Sequence, residues 1–155
     1  MIVVSDTTAV SNLLTVGRAE LLPQLFERVL APPAVFSELL AWHENLPTWL
    51  EVMTVTDQLR VERYAAFVHP GEAEAIALAL ETEADWLLLD DSDGRRLAKA
   101  EGAPVLGLMG VLLLAKRRGV LANVRPLMDR LRDEAGFYLS DKVRREIIRL
   151  ADEEI

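Results

Sequence analysis

Three aspartates crowd the end of one apolar run, where Trp86, Leu87, Leu88 and Leu89 lead into Asp90, Asp91 and Asp93. The start of the chain repeats the design, since Ile2, Val3, Val4 and Ser5 run into Asp6. Apolar runs this short, stopped abruptly by polar residues, read as strands buried on both faces. In a parallel sheet the loops at the carboxyl ends of the strands form the ligand crevice, so acids at those ends stand where chemistry usually happens. Glu38 and Glu72 fall on stretches that read as helices beginning or finishing nearby. Asp6, Glu38, Glu72, Asp90 and Asp91 are therefore expected to meet at one crevice. Carboxylates so gathered suit a hard cation, Mg²⁺ or Mn²⁺, which activates a water and neutralises the leaving oxygen in phosphodiester hydrolysis.

Each acid also has a plainer use. Asp6, followed by Thr7, Thr8 and Ser11, is a good N-cap for a helix that stops near Gly17. Glu72 and Glu74 both sit in the first turn after Gly71, where a carboxylate favours the positive end of the helix. Residues two apart on a helix point about 200° from one another, so only one of the pair enters a shared site, and Glu72 is the better placed. Asp93, beside Gly94, is the cap expected for the helix after the third aspartate. Glu38, among Val35, Phe36, Leu39 and Leu40, either joins the crevice or projects to solvent. Arg95, Arg96 and Lys99 follow the aspartates immediately and are either solvated or available to substrate phosphates. His43 and His69 lie in a poorly patterned stretch and read as loop histidines.

The elements that must position these residues follow from periodicity. Helices are expected over residues 19–26, 34–42, 57–67 and 71–81, then over 95–101 and 111–118, with strands at 29–31 and 104–106 and an edge strand at 52–55. Two further helices, 124–134 and 140–153, close the chain, the second with Val143, Ile147 and Leu150 as its apolar stripe. Strands alternating with helices through short turns give an α/β domain with a mostly parallel sheet. At 155 residues and 51% hydrophobic, the chain fits a single domain over 1–155. It has no cysteine, which excludes disulfides and thiolate metal sites. The longest apolar run, Val105 to Ala115, falls short of the ~20 residues of a membrane span, and no leader is evident, so a cytoplasmic protein without a membrane partner is expected. The net charge of −8 is concentrated in residues 1–100, which carry 7 basic and 16 acidic side chains. That balance excludes tight, general nucleic-acid binding and leaves metal-dependent chemistry open.

Four blocks in order, VVSDTTAVSNL at 3–13, APPAVFSELL at 31–40, PGEAEAIALALE at 70–81 and WLLLDDSDGRRLA at 86–98, together resemble the PIN-domain superfamily. The chain is most similar to a prokaryotic PIN-like branch that also carries GLMGVLLLAKRRG-type text. The resemblance spans nearly the whole chain. It implies a Rossmann-like three-layer α/β/α sandwich and a metal-dependent ribonuclease site, with Asp6, Glu38, Glu72 and Asp91 as the catalytic acids and Thr7 and Asn12 as supporting polar residues. Likeness to the VapC toxins further implies an RNA substrate, a small antitoxin partner and a homodimer. Two positions depart from the pattern: the third acid is Glu72 where aspartate is commoner, and Leu89 stands where a threonine is common. The leading expectation is a Mg²⁺- or Mn²⁺-dependent endoribonuclease of toxin type. The alternative, favoured by the charge and by Leu89, is a PIN-like RNA- or protein-binding regulatory module with weak or no turnover. A haloacid-dehalogenase type of phosphohydrolase needs a second aspartate two residues after Asp6, where Thr8 stands.

Overall fold

A computed structural model describes residues 1–154. Five strands, β1 (Ile2–Ser5), β2 (Arg28–Ala31), β3 (Leu50–Val52), β4 (Trp86–Leu88) and β5 (Val105–Leu106), form one sheet in the order β3-β2-β1-β4-β5. Every pairing is parallel. Val3 and Val4 of β1 stand opposite Val29 and Leu30 on one side and Trp86 and Leu87 on the other. All but Trp86 are essentially inaccessible to water, which is why the central strands are continuous apolar runs and not alternating ones.

Helices cover both faces, giving a three-layer α/β/α sandwich. In chain order they are α1 (Thr7–Thr15), α2 (Leu21–Leu25), α3 (Pro33–Trp42), α4 (Gln58–Ala65), α5 (Pro70–Glu81), α6 (Ser92–Ala100), α7 (Leu108–Arg117), α8 (Arg125–Ala135) and α9 (Asp141–Leu150). The axis of the packing is α5, which lies on β1 and β4 and is flanked by α3 and α4. Ala73, Ala75, Ala77 and Ala79 are buried all round it beside Ile76 and Leu78, and small side chains let three neighbours approach at once. Near the end of the chain α8 packs against α1 and α9 against α7. Glu153, just past α9, accepts from Lys116 Nζ (2.9 Å) and from the backbone N–H groups of Val124 (2.6 Å) and Arg125 (3.0 Å), tying the tail to the start of α8.

Several elements differ from expectation, four of them for an evident local reason. The edge strand is Leu50–Val52, because Leu50 is the residue that reaches the core, 5% exposed against 47% for Val52. The cap of α6 is Asp91 and not Asp93. Helix α7 begins at Leu108, three residues early, because its first N–H finds a carboxylate from another element. On α9 the buried residue is Ile148, while Val143 and Leu150 of the expected stripe are 44% and 55% exposed. No helix among the described residues is long and apolar enough to cross a membrane.

Candidate functional site

The order of the strands decides where the acids meet. From β1 the chain moves to β2 on one side and later to β4 on the other, so the gap beyond the carboxyl ends of β1 and β4 is a topological switch point. Asp6 leaves β1 there, its N–H donating to Leu88 O of β4 at 3.1 Å, and Asp90 and Asp91 follow β4. The second turn of α3 and the first turn of α5 bring Glu38 and Glu72 to the same place. A cavity of about 250 Å³ opens at this point, walled by Asp6, Glu38, Glu72 and Asp91 together with Thr7, Thr8, Trp42 and His69. A second cavity, of about 560 Å³, adjoins it across Thr8 and Asp91 and includes Asn12, Asp90 and Tyr138.

The carboxylates are held by helix starts. Asp6 Oδ1 accepts from Ala9 N at 3.0 Å as N-cap of α1, and Asp91 Oδ2 accepts from Gly94 N at 2.9 Å as N-cap of α6. Asp90 turns the other way, to Leu108 N at 3.0 Å, and so satisfies the start of α7. Glu38 Oε1 lies 3.4 Å from His69 Nδ1. That nitrogen accepts from Gly71 N (3.2 Å) when the ring is neutral there, and pairs with Glu38 when protonated. Three glycines make room for the acids. A Cβ on Gly71 would stand 2.8 Å from Glu38 Oε1, one on Gly94 2.6 Å from Glu72 Oε2, and one on Gly107 2.8 Å from Asp90 Oδ1.

Crowding and burial set the electrostatics. Asp6, 4% exposed, has its carboxyl pushed up to about 7. Desolvation is the main cause, reinforced by the charges of Asp90, Glu72 and Asp91 and opposed by the Ala9 hydrogen bond. Glu72 is also raised, by burial first and then by Asp91. Its Oε2 is fully buried and has no hydrogen-bond partner among the described residues. Asp90 is raised by burial against the pull of the Leu108 N–H and of Arg95.

The expected metal chemistry does not survive this geometry. Among the described residues no group of three or more histidine, cysteine, aspartate or glutamate side chains is placed to hold a metal ion. Four of the five expected ligands border one cavity, yet they enter from four different elements. Asp6, Asp90 and Asp91 each direct an oxygen to a helix N–H, and Glu38 faces His69. The expectation of a Mg²⁺- or Mn²⁺-dependent ribonuclease, with that ion as cofactor, is therefore corrected.

Of the supporting residues, Thr7 borders the first cavity and Asn12 the second. The basic trio stands outside the first. Arg95 Nη1 donates to Leu89 O at 3.0 Å beside Asp90, Arg96 faces Asp93 at 3.6 Å on the surface, and Lys99 is exposed near the end of α6. Sequence reasoning missed Trp42 and His69. For His69 a signal existed: it is the N-cap of α5, with Pro70 in the first turn and Glu72 three residues on, the spacing of a capping box. The other histidine, His43, is tied by Nε2 to Ser11 Oγ at 2.8 Å and pins the end of α3 to α1, next to Trp42.

A family model described as PIN domain (DUF3368) matches residues 2–153. No curated protein matches the chain.

Proposed function

The chain belongs to the PIN-domain family, and we propose that it serves as a regulatory module, a single domain over 1–155 in the cytoplasm, that binds a partner protein through its carboxylate cavity. The observation that carries this reading is Glu72 Oε2, a buried carboxylate oxygen without a hydrogen-bond partner among the described residues. An unsatisfied buried acceptor costs about 1–3 kcal/mol, and more when charged. A guanidinium or ammonium group from a partner supplies the missing N–H and offsets the mutual repulsion of Asp6, Glu72 and Asp91. Arginine suits the cavity best, because its planar fork meets carboxylates in pairs and stacks on aromatic faces. Trp42, 58% exposed, offers such a face in the same wall.

RNA is the less favoured partner, because its phosphates would approach four carboxylates in a chain of net charge −8. A small protein of the antitoxin kind, presenting a cationic side chain, fits the cavity's chemistry. The test is calorimetric titration with a short arginine peptide and with its citrulline counterpart, which keeps the shape and loses the charge. The arginine peptide is expected to bind and the citrulline peptide to fail, with Glu72→Gln weakening binding about tenfold, or ~1.4 kcal/mol. Equal binding of the two peptides, or no effect of Glu72→Gln in a protein still folded by circular dichroism, refutes the reading.

A further inference from the structure

The carboxylate cavity sits at one end of the sheet, and a different surface occupies the other. Trp86 opens β4 and Arg117 closes α7, so both lie toward the amino ends of the strands. Two cavities meet there. One, of about 270 Å³, is bounded by Trp86, Leu106 and Leu114, and the other, of about 390 Å³, by Lys116, Leu150 and Ala151. Leu113 and Arg117 line both, which makes them two halves of one trough along α7, between the edge strand β5 and α9. Gly110 contributes to its floor, since the missing side chain admits Leu106 against the helix.

Two independent features mark the trough as unfinished. Helix α9, which reaches the trough through Leu150, carries Val143, Ile147 and Leu150 at i, i+4 and i+7, the spacing of a helix face that normally meets a core. Here Ile148 takes the core position and leaves Val143 and Leu150 largely exposed. The second feature is charge. In a chain of net charge −8, the described residues lining the trough include two cations and no carboxylate. Lys116 is answered by Glu153 at 2.9 Å. Arg117 is exposed and makes no ion pair or side-chain hydrogen bond among the described residues.

We infer that this α7–α9 trough docks an amphipathic helix of a partner protein, its apolar side chains seated over Leu113 and Leu150 and its carboxylates facing Arg117. An apolar groove with a charged rim is how helix-in-groove recognition obtains affinity and register together. The charge complementarity selects an acidic helix. A second copy of this chain is disfavoured, because its own apolar stripe lies on a helix with four cations, Lys142, Arg144, Arg145 and Arg149, against Asp141 and Glu146.

The probe is a synthetic amphipathic helix of leucine and glutamate, titrated into ¹⁵N-labelled full-length protein, with a leucine–lysine helix of the same pattern as comparison. The glutamate peptide is expected to shift the amide signals of Leu113, Arg117 and Leu150 and to leave those around Asp6 and Glu72 in place. Arg117→Glu and Leu150→Glu, both at exposed positions, should each weaken it at least tenfold. Circular dichroism confirms that both variants fold. Equal affinity for the two peptides, or no localised shifts, overturns the inference. So does sedimentation showing two copies whose association Leu150→Glu abolishes, because a second chain then fills the trough.

Discussion

Replacing Asp6 by asparagine isolates what the crowded carboxylates cost the fold. Asparagine is as good an N-cap as aspartate, so the bond from Ala9 N is kept and the ionisable proton is lost. In the native protein the Asp6 carboxyl is raised from 3.8 to about 7. Its native state therefore holds a proton that the unfolded chain has already released. Stability from this group is complete below about pH 4, falls as the pH rises, and is exhausted beyond about pH 7. At ~1.4 kcal/mol per pH unit the full loss is on the order of 4 kcal/mol. The variant escapes that loss. Its advantage over the wild type should be close to zero near pH 4 and grow to several kcal/mol near pH 8. Urea unfolding of both proteins across this range measures the difference, and the ¹³C titration of the Asp6 carboxyl gives its midpoint directly. Asp90 and Glu72, raised in the same sense, leave a residual slope in both proteins. Parallel pH profiles, or a variant no more stable than wild type near pH 8, would refute the reasoning.

Two further perturbations test the packing around the site and the tail. Gly94→Ala places a methyl group 2.6 Å from Glu72 Oε2 and 3.2 Å from both methyls of the inaccessible Leu89. The helix gains up to ~1 kcal/mol in propensity, overpacking costs about 1–3 kcal/mol, and the expected net result is a lower urea midpoint; a raised midpoint would contradict the close approach. Glu153→Ala removes one acceptor from three donors, Lys116 Nζ, Val124 N and Arg125 N, at a position whose side chain is 9% exposed. The expected loss is about 2–4 kcal/mol, and amide exchange at Val124 and Arg125 should rise most; unchanged exchange there would mean that the tail does not cap α8.

The parts of the fold legible in the sequence are those specified by local patterns. The apolar runs ending at Asp6 and Asp90 became β1 and the neighbouring β4, and the all-round apolar stretch 70–81 became the buried α5. Where an element depends on a partner distant in sequence, the local pattern is silent. Helix α7 starts at Leu108 because Asp90, 18 residues earlier, reaches its first N–H. The same holds for α9, where alternative stripes, through Ile148 or through Val143 and Leu150, are equally helical, and only the contact with α7 selects the first. Strand ends made the meeting of Asp6 and Asp91 legible, and the helix starting after Gly71 that of Glu72, while Glu38 was left between the crevice and solvent and lines the cavity. Which way their oxygens point was not legible.

That last distinction has one physical origin. A strand that ends in aspartate and passes straight into a helix presents the carboxylate to two claimants, the crevice and the free N–H groups of the new helix. Sequence cannot rank them, because both require the same residue at the same position. Here the helix starts prevail for Asp6, Asp90 and Asp91, each through a bond of 3.0 Å or less. The glycines at 71, 94 and 107 then fix the arrangement by letting Glu38, Glu72 and Asp90 lie where a Cβ would be. Negative charge is thus concentrated around the cavity without being gathered at one point, and Asp6 and Glu72 answer by holding protons more tightly than ordinary carboxylates do. A cationic side chain entering from a partner competes with those protons for the same oxygens. Binding of such a partner and release of protons from Asp6 and Glu72 are therefore two sides of one equilibrium, which strengthens as the pH rises toward 7.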